Sequence, residues 1–216
     1  MASSDGRTES GQVDTEPWQE RIELKRRLVH AGGTVFPVPY LLGWVSWTET
    51  VVFLVGFALV VGAMEFLRLG VGVEHPLFEA LTRPYEEHSV GGYVLYMISI
   101  AGVAAIFAPS VAIPAILMLT LADPISGALG RNDADEPKRP TVWVVTFLVC
   151  VAIALPFTVP AAGSQVGVGV AAAVVGAAGA TVADGLPPLI RGVPVDDNIT
   201  IPPAAAVGIG LVLQAL

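Results

Sequence analysis

Hydrophobic positions along this chain gather into long runs separated by short polar stretches, and the runs have about the length a bilayer demands, roughly 17 to 25 residues. They extend from about Val29 to Trp47, Thr50 to Leu67, Val90 to Ala108, Val111 to Leu129, Thr141 to Val159, Ser164 to Val182 and Ile199 to Leu216. Gly32-Gly33, Pro37 and Pro39 interrupt the first; the sixth is almost wholly Ala, Val and Gly. The expected fold is therefore all-α, a polytopic transmembrane helical bundle of about seven spans. A basic amphipathic lead-in, Arg21 to His30, precedes the first run. Residues 1–20 are polar and acidic, lack the basic-then-apolar order of a signal peptide, and read as a disordered cytoplasmic tail. Residues 21–216 then form one integral membrane domain.

The basic residues orient the bundle. Lys and Arg in short loops favour the cytoplasmic side. With seven spans and the amino terminus inside, all 11 fall on one face: Arg7, Arg21, Lys25, Arg26, Arg27, Arg68, Arg83, Arg131, Lys138, Arg139 and Arg191. The opposite loops are short and carry only Glu49. Trp44 and Trp47 at the outer end of the first run and Trp143 at the inner end of the fifth fit interfacial belts. The expected location is a cell membrane, with the polar chemistry facing the cytoplasm.

Composition agrees: 54% of residues are hydrophobic and 14% charged, with a mean hydropathy of +0.70. Acids outnumber bases 19 to 11, and Lys25 and Lys138 are the only lysines. A chain of this kind is not built for nucleic acid, and its acidic loops suit a high-salt medium. The single cysteine, Cys150, lies in an apolar run and can make no intrachain disulfide.

Against this background a few polar residues stand out. Asp123 sits late in an apolar run, in Ala122-Asp123-Pro124-Ile125-Ser126-Gly127-Ala128-Leu129-Gly130-Arg131. It reads either as a magnesium-binding or hydroxyl-orienting carboxylate with Arg131 taking a phosphate, or as a solvated helix end; an acid this close to hydrocarbon is costly without a function. Asp196-Asp197-Asn198 offers oxygen ligands of the type magnesium prefers, and Asp197 or Asn198 would equally cap a helix starting near Ile199. Arg26 and Arg27 read as interfacial anchors, whereas His30, on the same helix face, can titrate near neutrality. His75 and His88 lie in a loop. Glu65 and Arg68 have the three-residue spacing that lets them meet, as do Arg83 and Glu86; Arg68 and Arg83 are also candidate phosphate clamps. Gly163 and Gly167, in small-xxx-small spacing, predict close helix packing. There is no G-x-x-x-x-G-K-[ST], H-E-x-x-H or G-x-S-x-G pattern.

In order along the chain, these pieces resemble the dolichol kinase and phytol kinase family of membrane-embedded, CTP-dependent polyprenol kinases. The resemblance covers about Arg21 to the end. It rests on the basic residues before His30, the E-x-x-R of Glu65 and Arg68, the Arg-Pro-x-Glu of Arg83 to Glu86, and Gly91-Gly92-Tyr93 through Tyr96. Its specific motifs are the A-D-P-x-[SA]-G-x-x-G-R of Ala122 to Arg131 and the D-D-N-x-x-[IV]-P of Asp196 to Pro202. The acidic, low-lysine composition is similar to that of a haloarchaeal member. Two departures stand out: the glycines that often follow the central motif are absent between Asn132 and Thr141, where Lys138 lies, and Asp184 occupies the place of a family Glu. The G-H-G-G-x-x-D-R signature of the related phosphatidate cytidylyltransferases is missing.

The resemblance implies transfer of the γ-phosphate of CTP to the hydroxyl of a membrane isoprenoid alcohol of the dolichol or polyprenol class, with Mg2+. Asp123, Asp196 and Asp197 are the expected metal or hydroxyl-orienting groups, with His30 as a further catalytic candidate. Arg131, Lys138, Arg68 and Arg83 are the expected phosphate ligands, and Asn198 fixes the loop. The alternatives are a cytidylyltransferase forming a CDP-lipid, and a non-enzymatic membrane scaffold or transporter.

Overall fold

The computed structural model describes residues 30–82, 86–130, 138–186, 189–190 and 193–215. They form α1 (Val38–Leu41), α2 (Trp47–Val71), α3 (Pro76–Leu81), α4 (Gly92–Ile106), α5 (Pro109–Leu129), α6 (Pro140–Ala161), α7 (Val166–Gly185) and α8 (Asp197–Leu213). Between α7 and α8 a two-residue strand, β1 (Leu189–Ile190), pairs antiparallel with β2 (Val193–Pro194). The remainder of the described chain is helical or connecting.

Among the described residues four helices are long and apolar enough to cross a membrane, namely α2, α5, α6 and α7, and they coincide with the second, fourth, fifth and sixth hydrophobic runs. The third and seventh runs give shorter apolar helices. With 15 residues in α4 and 17 in α8, a rise of 1.5 Å per residue makes them about 22 and 26 Å long, under the roughly 30 Å of a bilayer core. The first run is not one helix. A turn at 30–32 leads into a 3-10 turn, Gly33–Val35, and then into the single turn of α1 behind Pro37. Pro37 and Pro39 cannot donate to a helical ladder, and Gly33 is drawn against α4, where a Cβ would collide with the Tyr96 hydroxyl.

Local chemistry sets the helix ends. Ser46 and Glu49 form a complete capping box at the start of α2: the Ser46 hydroxyl accepts from the Glu49 N–H, and the Glu49 carboxylate accepts from the Ser46 N–H at 2.7 Å. Such a box satisfies two of the donors that a helix start leaves orphaned. Glu49, the one charged residue of its loop, therefore has a structural task. Pro109 and Pro140 stand in the first turns of α5 and α6, where a missing N–H costs nothing.

The packing rests on small residues. α8 lies against α7 and also meets α4 and α5, while α7 packs on its other side against α6. A Cβ at Gly179 would stand 2.7 Å from the carbonyl oxygen of Ala204, and one at Gly208 would stand 3.0 Å from that of Val175. Backbones this close leave no room for a side chain, as in small-residue membrane interfaces. The expected pair is not the one used: Gly163 is a left-handed turn residue (φ 58°), and a Cβ at Gly167 would meet nothing within 4 Å. The close approaches are made instead by Gly176 and Gly179 against α8 and by Gly169 against α6. Phe53, Leu59 and Phe66 of α2 and Val144 and Leu148 of α6 are exposed, which gives the bundle an apolar outer surface.

Candidate functional site

The site begins with a distortion in α5. Pro124 has no N–H, and its ring crowds the carbonyl one turn earlier. The helix widens to a π turn over Met118–Ala122, in which the Asp123 N–H reaches back to the carbonyl of Met118. Asp123 then opens a final α-helical segment, Asp123–Leu129, and Ser126, three residues on, shares its face. Single π turns of this kind are concentrated at functional sites.

Two other helix ends converge on this one. Asp184, in the last turn of α7, is 7% exposed and is held by two donors: Ser126 Oγ at 2.7 Å and Lys138 Nζ at 2.5 Å. Lys138, two residues before α6, also donates to Ser126 Oγ at 2.9 Å. Asp197 is the first residue of α8. One oxygen from each of Asp123, Asp184 and Asp197 lies within 4.8 Å of the other two.

Asp196, the neighbour of Asp197, does different work. It caps α8, its Oδ1 accepting from the N–H of Asn198 at 2.9 Å and from Asn198 Nδ2 at 2.6 Å. Asn198 is 2% exposed. Pro202 and Pro203 lie inside α8. They offer no N–H to the carbonyls of Asn198 and Ile199, four residues back.

On the other flank stands His30. Its Nδ1 is 3.5 Å from Asp123 Oδ2, and its ring lies 4.7 Å from that of Tyr96, whose hydroxyl donates to the His30 carbonyl at 2.9 Å. A 3.3 Å contact between the Thr34 and Thr120 hydroxyls ties the same segment to α5. His30 is buried, so its place beside Asp123 is fixed by the fold.

A second polar network lies where α2 meets α4. Glu65, buried, accepts from Arg68 Nη2 at 2.7 Å and Nε at 2.8 Å, from the Gly91 N–H at 2.7 Å, and from the Tyr93 hydroxyl at 2.6 Å. Arg68 also donates to the carbonyls of Glu86, Glu87 and Ser89 at 2.6 to 3.2 Å. Nε, Nη1 and Nη2 are thus all engaged within the chain. Glu86, buried as well, accepts from the Gly92 N–H at 3.2 Å.

The structure therefore brings Asp123, Asp197, His30 and Lys138 to one place and sets Asp196 and Asn198 beside them. The third carboxylate of the cluster is Asp184, whereas Asp196, expected as a metal ligand, is the helix cap. Arg68 is committed to Glu65 and the 86–89 backbone. Arg83 and Arg131 lie outside the described residues. The sequence signal for Ser126 is its three-residue spacing from Asp123; Asp184 shows as an acid closing an apolar run, in the place of a family Glu, and nothing in the sequence pairs it with Lys138, 46 residues away.

What the cluster can hold follows from its donors. Octahedral magnesium takes oxygen at 2.0 to 2.1 Å, which sets its ligands about 3 to 4 Å apart; three carboxylates with oxygens inside 4.8 Å can close to that spacing. Lys138 is the one ammonium in contact with them among the described residues. Three carboxylates with oxygens within 4.8 Å of one another repel unless further positive charge joins them. No protein-family model, curated protein or solved structure matches this chain.

Proposed function

We propose that the chain is a membrane phosphotransferase of the dolichol and phytol kinase type, passing the γ-phosphate of CTP to the hydroxyl of an isoprenoid alcohol. The observation that carries this reading is the meeting of Asp123, Asp184 and Asp197 at one end of an apolar bundle, with Lys138 and His30 on its two sides. The motifs shared with that family, Ala122 to Arg131 and Asp196 to Pro202, are the two that supply Asp123 and Asp197. Seven crossings with the amino terminus inside belong to the same proposal and rest on the one-sided basic residues. The site then opens to the cytoplasm, where CTP and magnesium are found.

Asp123, Asp184 and Asp197 would hold Mg2+, which when bound offsets the charge of the transferring phosphoryl group. In the reaction the alcohol oxygen bonds to the γ-phosphorus, the bond to the bridging oxygen of CDP breaks, and the hydroxyl proton is released. Lys138, fixed by Asp184 and Ser126, places a cation beside the phosphate. Asp123 orients the hydroxyl, with His30 Nδ1 3.5 Å from its Oδ2. Catalysis of this kind is mostly positioning and charge neutralisation, which suits groups mounted on helix ends.

The test is a membrane assay with CTP labelled at the γ-phosphate, polyprenol, magnesium and high salt. Label in a lipid phosphate is the expected result. No labelled lipid from any isoprenoid alcohol sinks the reading. Lipid labelled only by α-phosphate-labelled CTP, with pyrophosphate released, replaces it with a cytidylyltransferase.

A further inference from the structure

The Glu65–Arg68 network lies away from the carboxylate cluster, yet its far end touches the loop that carries Asp197. Glu65 takes the Gly91 N–H and Glu86 takes the Gly92 N–H. The first turn of α4, which has no side-chain cap of its own, is thus closed by two buried carboxylates from other segments. Arg68 fixes the 86–89 backbone that presents Glu86. These bonds set the backbone of Gly92 against the α8 corner: a Cβ there would stand 3.3 Å from Asn198 Nδ2 and Glu86 Oε1, and 3.4 Å from Asp196 Oδ2. Asp196 and Asn198 are the two partners of the α8 cap, and Asp197 lies between them in the chain.

We infer that Glu65, Arg68 and Glu86 are positioning residues for the acidic site. They clamp the start of α4 so that the bare backbone of Gly92 abuts the Asp196–Asn198 corner, and this contact holds Asp197 toward Asp123 and Asp184. Arg68 acts here as a brace, and its guanidinium has no donor left for a phosphate. The inference rests on the reading of the three carboxylates as a divalent cation site. Groups that orient metal ligands from behind change affinity without touching the ion.

Cation binding tests this without reference to catalysis. Purified full-length protein is titrated with Mn2+, followed by electron paramagnetic resonance, and compared with Gly92→Ala, Glu65→Gln and two controls. In Glu65→Gln one acceptor oxygen is lost and the side-chain shape kept. Gly102→Ala, also on α4, adds a Cβ that meets nothing within 4 Å; Gly169→Ala, at the far end of α7, puts one 2.8 Å from the Thr158 carbonyl oxygen. Gly92→Ala and Glu65→Gln are expected to bind Mn2+ about tenfold more weakly than the natural chain. Gly102→Ala is expected to bind as the natural chain does, and Gly169→Ala to lose thermal stability and keep its Mn2+ affinity. If Gly92→Ala does not fold, Glu65→Gln decides. Natural affinity in the folded Gly92→Ala and Glu65→Gln proteins overturns the positioning role and leaves the cation site standing. Weakened binding in Gly169→Ala as well overturns it too, because any loss of stability would then suffice. No Mn2+ binding by the natural chain overturns both.

Discussion

Ser126 and Asp184 are 58 residues apart in sequence and 2.7 Å apart in the structure, and Lys138 joins them with a donor to each. A buried carboxylate is held by these two side chains from two different segments. Removing either donor leaves Asp184 under-satisfied in a place that water reaches poorly. Ser126→Ala is expected to destabilise the protein by about 1 to 3 kcal/mol, and Lys138→Met by about 3 to 5 kcal/mol, since it strands a buried charge. Thermal unfolding in detergent measures both. The double variant Lys138→Met, Asp184→Leu should lose less than Lys138→Met alone; a larger loss would show that the ion pair is not what Lys138 contributes.

Asp123 and Asp197 carry the opposite expectation. Their charges crowd one another and Asp184, so Asp123→Asn and Asp197→Asn relieve repulsion when no divalent ion is present. Each variant should melt no lower than the natural chain in chelator, while phosphoryl transfer falls by about a hundredfold or more. Full activity in Asp123→Asn would remove that carboxylate from the mechanism.

Divalent ions should in turn stabilise the natural chain. A ligand that binds only the folded state raises stability by roughly 2.7 kcal/mol at a hundred times its dissociation constant. Adding Mg2+ or Mn2+ to chelated protein should raise its melting temperature, and the same addition to Asp197→Asn should raise it less. Equal shifts in both would place the ion elsewhere.

The α7–α8 contact gives a packing prediction with a built-in contrast. Gly179→Val drives a branched side chain into the backbone of Ala204 and should cost at least about 1 to 3 kcal/mol, read as lost folded yield. Gly167→Ala, in open space, should be neutral or slightly stabilising.

Ser46→Ala serves as a remote check. Loss of the α2 cap should cost about 1 kcal/mol and leave activity per folded molecule unchanged.

Much of this was legible in the sequence because long apolar helices announce themselves by length and hydropathy. Four of the seven runs are long helices close to their expected bounds. The first run is not one helix for a reason also visible there: Gly32-Gly33, Pro37 and Pro39 break it, and the segment carries His30 to Asp123. The acids were harder. Asp196, Asp197 and Asn198 are adjacent, and residue type alone cannot say which one caps and which faces the cluster. That choice depends on where α8 starts, one residue after Asp196 and two before the expected Ile199. The commitment of Arg68 was similarly hidden, since its carbonyl partners lie 18 to 21 residues on and contribute through backbone rather than side chain. Gly163 and Gly167 had the right spacing, but the chain turns at the first of them.

The wide turn at Met118–Ala122 has one more consequence. A π turn takes in one residue more than an α turn, and one residue is about 100° of rotation. The two parts of α5 therefore run out of phase, like two gear wheels keyed differently on one shaft. Below the turn, Val111, Ala112, Ala115 and Ile116 set which way the helix faces by what they bury; above it, Asp123 and Ser126 face Asp184. Deleting a single residue from the turn would bring the two parts back into step and swing the carboxylate away from Asp184, with every side chain of the site still present in the sequence.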